Sequence, residues 1–109
     1  YNNWCSSDGS WKYCVMPGVV RKDDVSQGHG CFPPRSNISG STTTFADNRS
    51  VHRKGDSWLI HQCKDKIHDG VLSSGSNSVF VDNRPIGRIG DNISCGDKAK
   101  TGSSTVFAD

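Results

Sequence analysis

The sequence predicts an all-β domain built from three pseudo-equivalent β-hairpins, one of them split between the two ends of the chain. Two observations carry this. An eight-residue block recurs three times: Gly40-Ser41-Thr42-Thr43-Thr44-Phe45-Ala46-Asp47, Gly75-Ser76-Asn77-Ser78-Val79-Phe80-Val81-Asp82 and Gly102-Ser103-Ser104-Thr105-Val106-Phe107-Ala108-Asp109. Gly, Ser, Phe and Asp match in every copy, and self-similarity of this kind marks a fold assembled from repeated units. A second block then follows the first, Arg49-Ser50-Val51-His52-Arg53-Lys54-Gly55-Asp56 matching Arg84-Pro85-Ile86-Gly87-Arg88-Ile89-Gly90-Asp91.

Each block reads as a short strand. Thr, Val, Ile and Phe suit a pleated surface, and no segment shows helical periodicity. Between the blocks stand Asp47-Asn48 and Asp82-Asn83, residues that tolerate the left-handed conformation of a tight hairpin turn. Gly55-Asp56 and Gly90-Asp91 end the second strands. A looser copy of the second strand opens the repeat region at Gly18-Val19-Val20-Arg21-Lys22-Asp23-Asp24, with Asp23 where the other copies have Gly. The chain thus begins on a lone second strand and closes on a lone first strand. Residues 104–108 are expected to pair with residues 18–22, giving three units about a pseudo-threefold axis and removing free sheet edges. The three phenylalanines, Phe45, Phe80 and Phe107, are expected in the core, the usual fate of equivalent apolar residues.

Composition agrees with a small, turn-rich domain. Only 32% of the 109 residues are hydrophobic, and all 11 acidic residues are Asp, which suits turns better than helix interiors. A chain this short and polar needs a staple beyond its core. The net charge of +2 comes without a long basic run, which argues against nucleic acid as a partner. No apolar stretch reaches membrane-spanning length, and no segment reads as a signal peptide. Tyr1 is not a translation start, so a piece of a longer chain is the expectation. The division expected is an N-terminal extension over residues 1–15 and one domain over residues 16–109.

The staple is read from histidine and cysteine. The turns after the three second strands align: Asp24 is followed at +5 by His29, Asp56 at +5 by His61, and Asp91 at +4 by Cys95. Equivalent positions about a threefold axis converge together, so one metal-capable side chain comes from each unit. His68, in a loop expected over Lys64–Asp69, supplies a fourth. Three imidazoles and one thiolate make a closed tetrahedral shell that suits a structural zinc ion. Cys31 and Cys63 each follow a candidate ligand at +2; either could replace His68, or the two could pair as a disulfide. His52 aligns with Gly87 in mid-strand and is read as a side chain on the sheet face rather than a ligand.

These residues resemble a known family. The string Gly75 to Gly96, with Pro85-Ile86-Gly87-Arg88 in the tetrapeptide position, then Gly90-Asp91 and Cys95-Gly96, closely resembles the PAAR-repeat pattern. Met16-Pro17-Gly18-Val19-Val20-Arg21 resembles the usual start of a member, and the resemblance covers residues 16–109. The copy Ser50-Val51-His52-Arg53 keeps only the Arg. Residues 1–15, with Trp4, Cys5, Trp11, Tyr13 and Cys14, match nothing in the family.

The resemblance implies a cone-shaped domain with one structural zinc near its tip, held by His29, His61, His68 and Cys95. It also implies a structural, non-enzymatic protein that sharpens the trimeric β-helical spike of a contractile injection machine, a phage tail baseplate or a type VI secretion system. One monomer would cap one trimer and pass transiently through the target cell envelope. Its place would be the virion tail tip or, if bacterial, the cytoplasm before secretion. The alternative from another class is a carrier tip for a larger secreted toxin. A zinc-bound nucleic-acid module lacks a helix with finger-spaced ligands, and a Cys/His hydrolase would have its Cys95 thiolate occupied by the metal.

Overall fold

The computed structural model describes residues 17–109. The extension expected over residues 1–15 lies outside the described residues. The described residues are all-β, in three antiparallel two-stranded hairpins: β1 (Phe45–Ala46) with β2 (Arg49–Ser50), β3 (Ser57–Cys63) with β4 (Lys66–Val71), and β5 (Phe80–Val81) with β6 (Arg84–Pro85). No helix among them is long and apolar enough to cross a membrane.

The turns of β1–β2 and β5–β6 form where Asp and Asn predict them. Asp47 and Asn48 have φ of 54° and 65°, and Asp82 and Asn83 of 54° and 64°, the paired left-handed conformation that matches strand twist in a tight hairpin. The strands are shorter than the blocks suggest because each chain segment changes partner. In the first block, Ser41 Oγ accepts hydrogen bonds from the N–H groups of Thr43 and Thr44, both at 3.0 Å, and folds the segment before β1 into a turn. Ser76 does the same for Ser78 and Val79, and Ser103 for Thr105 and Val106. In the second block the backbone leaves its hairpin and joins a ring at the axis. There the Val20 N–H donates to the Gly87 carbonyl (2.9 Å), Gly87 to His52 (2.8 Å) and His52 to Val20 (2.8 Å).

The chain ends complete the third unit. Gly18 bridges Phe107, the Val19 N–H donates to the Val106 carbonyl at 3.0 Å, and the Ala108 N–H donates to the Pro17 carbonyl at 3.1 Å. This register repeats Phe45↔Ser50 and Phe80↔Pro85 of the continuous hairpins. The pairing is confined to residues 17–19; beyond them, Arg21 bridges Val51 instead.

Polar contacts close the same ring. Ser41 and Thr43 donate to Asp82, Ser103 and Thr105 to Asp47, and Ser78 to Asp109. Each unit thereby holds the turn of the next. A second set explains the Arg and Asp of the repeat. Asp24, Asp56 and Asp91, all about 95% buried, each accept from the backbone N–H and guanidinium of the residue three before: Arg21, Arg53 and Arg88. These charge-assisted forks satisfy buried carboxylates that would otherwise be costly. The tight turn between partners puts Gly55 and Gly90 at φ of 91° and 95°, and Asp23, at the same place, at 75°. Asp23 holds that unfavourable conformation with its N–H bonded to Asn37 Oδ1 at 3.0 Å.

Two apolar clusters flank the axial ring. One gathers Val19, Val51 and Ile86 with Ala46, Val81 and Ala108, three and three from equivalent positions. The other joins Val20, Trp58, Leu72, Ile93 and Ala99, with Cys95 packed against it. Three expectations are corrected here. Phe45, Phe80 and Phe107 are exposed by 59%, 56% and 40% and do not form the core. The small neighbours Ala46, Val81 and Ala108 fill the narrow space at the axis, and strand alternation turns the phenylalanines outward. His52 is fully buried rather than on a sheet surface; its Nδ1–H donates to the Ser39 carbonyl (2.8 Å) and its ring packs edge-on against Trp58. Finally, Lys64–Asp69 is not a loop: Lys66–Val71 is strand β4, joined to β3 by a two-residue turn at Lys64-Asp65.

Candidate metal centre

Four side chains meet at one place. The ligand-capable atoms of His29, His61, His68 and Cys95 all lie within 4.8 Å of one another. His29 Nε2 is 3.3 Å from His61 Nε2 and 3.1 Å from His68 Nε2, and the last two are 2.5 Å apart. A tetrahedral ion with metal–nitrogen distances of about 2.0–2.1 Å sets its ligand nitrogens about 3.3 Å apart. The two His29 distances match that spacing, the His61–His68 pair is closer, and the donor set suits a four-coordinate metal.

Different local structures deliver each ligand. His61 and His68 face each other as a cross-strand pair on β3 and β4. A bulge between Trp58 and His61 shifts the register so that both Trp58 and His61 are buried while Leu59 and Ile60 face outward. His29 sits on a tight turn in which His29 and Phe32 exchange both backbone hydrogen bonds, at 3.1 and 2.9 Å, around Gly30-Cys31. Cys95 follows the bridge of Leu72 to Ile93 and is half-buried. The approach is close enough that a Cβ on Gly70 would lie 2.8 Å from both Arg35 and Ile93, so glycine keeps that strand from blocking the centre.

Three neighbours that sequence reasoning missed complete the surroundings. Phe32 packs its ring on all three imidazoles, with centroids 5.0 Å from His29, 4.8 Å from His61 and 4.1 Å from His68. The Pro33 carbonyl lies 2.9 Å from His61 Nδ1. Donation there fixes the tautomer that leaves the Nε2 lone pair facing the cluster. Arg35, 94% buried, lies along the edge of the His61 ring and donates to Cys95 Sγ at 3.4 Å and to the fully buried Asp97 carboxylate at 3.4 Å. Its positive charge stands beside the sulfur, and the Asp97 carboxylate balances it. Neither Phe32, Pro33 nor Arg35 repeats in the sequence; the closest signal was their crowding between His29 and Asn37.

Two histidines are shifted in the same direction. Burial pushes His52 below its ordinary value, against the pull of the Ser39 carbonyl and Asp56. His68 is also lowered, by desolvation and then by the neighbouring His61, His29 and Arg35, so its free imidazole is available to a metal at neutral pH.

Cys31 and Cys63, left open by the sequence, form a disulfide with Cα atoms 5.5 Å apart. It ties the His29 turn to the end of β3, and Cys95 is the free cysteine among the described residues.

Comparison with known proteins gives one result. No curated protein matches the chain. The family model described as PAAR motif matches residues 33–101, more than half of the chain and including His61, His68 and Cys95. That match shows the chain to be a member of the PAAR-motif family, a structural and non-catalytic domain of spike tips.

Proposed function

We propose that this chain caps a trimeric β-helical spike, one monomer per trimer, and that one zinc ion held by His29, His61, His68 and Cys95 pins its pointed end. The observation that carries the docking reading is the placement of Phe45, Phe80 and Phe107. They occupy one position in three equivalent units, and each exposes roughly half its surface. Large exposed apolar residues in a set mark a contact surface, and a threefold set on a monomer fits a partner with a true threefold axis. Cys95 of the metal cluster packs against the other apolar cluster, the one containing Trp58 and Leu72, which suits a division into a docking base and a cross-linked tip.

In this reading the work is mechanical. A zinc site closed by four protein ligands has no position for a reacting water and contributes roughly 10–16 kcal/mol of apparent binding free energy in small domains. That matches or exceeds the about 5–15 kcal/mol of a whole domain, so a tip tied this way resists opening under load. The domain would stand at the tip of a phage tail or a type VI secretion spike. The test is native mass spectrometry with the trimeric spike protein of the same machine. A 1:3 complex is expected for the natural sequence and its loss in the Phe45→Ser, Phe80→Ser, Phe107→Ser triple variant, with zinc content unchanged. A triple variant that caps the spike normally would remove the docking face from the account.

A further inference from the structure

The Cys31–Cys63 pair has no counterpart in the repeat and no part in the proposed docking. We infer that this disulfide decides which side chains serve the metal, an inference that rests on the zinc reading above. Both cysteines belong to a His-x-Cys step, His29-Gly30-Cys31 and His61-Gln62-Cys63. Along a strand, residues two apart share a face, and His61 and Cys63 are both buried on the inner side of β3. Reduced, each thiol would stand beside an imidazole ligand. Zinc binds thiolate readily in mixed nitrogen and sulfur shells, so among the described residues the reduced form would offer three thiols and three imidazoles for four positions. Oxidation removes two thiols from that competition. Four donors then remain for four places, with Cys95 as the sole sulfur among the described residues.

The same bond arranges the ligands before the metal arrives. It joins residues 32 apart in sequence, at an ordinary Cα separation of 5.5 Å. Its two ends lie two residues from His29 and two from His61, the ligands contributed by different units. The turn carrying His29 is short, held by two backbone hydrogen bonds of its own, and the disulfide fixes it to β3 whether or not metal is bound. Cys31 is exposed, so a small thiol reductant in solution can reach the bond: its thiolate attacks one sulfur, a second thiol releases the mixed disulfide, and the chain gains two thiols while the reductant leaves as its own disulfide.

Cobalt(II) substitution tests this, because a sulfur-to-cobalt charge-transfer band reports how many thiolates bind. The chain used carries Cys5→Ser and Cys14→Ser so that thiol titration reads the remaining three cysteines alone. With the disulfide intact, a one-thiolate spectrum is expected; after reduction the band strengthens towards that of two thiolates. The additional Cys31→Ser, Cys63→Ser variant is expected to keep the one-thiolate spectrum but bind cobalt more weakly, by about 10–100-fold, the loss typical of removed supporting groups. Should that variant fail to fold, the oxidised and reduced forms of its parent still decide the matter. Identical spectra and affinities before and after reduction would overturn the inference while leaving the metal site standing. Failure of both forms to take up cobalt would overturn the zinc reading, and the inference with it.

Discussion

Ser103→Ala is the perturbation that best isolates ring closure. Ser103 is 2% exposed, and its Oγ accepts from the N–H groups of Thr105 (3.0 Å) and Val106 (2.8 Å) while donating to Asp47. Truncation leaves two backbone donors without their partner. At about 1 kcal/mol net for each lost bond, the cost is about 2 kcal/mol; the Asp47 carboxylate adds nothing to this figure because water reaches it. For a domain of this size that lowers Tm by roughly 8–16 °C. Urea denaturation gives the free energy directly. Ser41→Ala and Ser76→Ala remove the equivalent bonds in the two continuous units and should cost the same within the scatter of the method, whereas the exposed Ser104→Ala should be neutral. If Ser103→Ala were neutral while the other two were costly, residues 103–108 would not form a third unit equal to the others, and the closed pseudo-threefold body would be wrong.

Two further outcomes follow from the buried charges. Asp97→Ala leaves the Arg35 guanidinium buried without its carboxylate and should cost about 3–5 kcal/mol, with much of the loss recovered in Arg35→Met, Asp97→Ala, both read by urea denaturation with zinc present. Acid should act in two stages. His52 is held neutral by burial, so below the unfolded value of about 6.5 the unfolded chain takes a proton that the folded chain refuses, and stability falls as pH drops through that value. With zinc saturating, the difference in pH dependence between the natural chain and His52→Val isolates this stage. Asp47 is held below its ordinary range by Ser103 and Thr105, and Asp82 by Ser41 and Thr43. Burial alone would raise Asp56, but the Arg53 side chain and backbone N–H outweigh it and lower it as well. Their contribution is complete above about pH 4 and is lost as pH falls through the depressed values, a second stage below about pH 4.

What the sequence could convey was whatever it repeated. The Asp-Asn turns and the Arg and Asp three residues apart recur and are found where the repeat puts them, and the two ends of the repeat region meet, though over residues 17–19 rather than 18–22. The alignment after each second strand also led to His29, His61 and Cys95, which the structure gathers with His68. The β3–β4 hairpin was invisible because it occurs once. Its bulge at Leu59-Ile60 breaks the alternation that would have marked a strand, and its turn, Lys64-Asp65, lacks glycine. Phe32 and Arg35 escaped for the same reason: both stand in a non-repeated loop, and only the fold brings that loop over the imidazoles. The phenylalanines misled in the opposite direction. Equivalent apolar residues usually converge, but at a threefold axis there is room for alanine and valine and not for three rings. His52 shows the converse, a polar residue taken into the core, where its two equivalents are the smaller Val20 and Gly87 and its ring packs on Trp58.

The central claim is that a metal ion joins side chains from all three units into one tip. Elemental analysis of the purified chain, coupled to circular dichroism during titration with a strong chelator, tests it most directly. The account predicts one zinc ion per chain, loss of the fold as the ion is withdrawn, and loss of the ion in His61→Ala and Cys95→Ser. A natural chain that is free of metal, fully folded and unmoved by the chelator would contradict it.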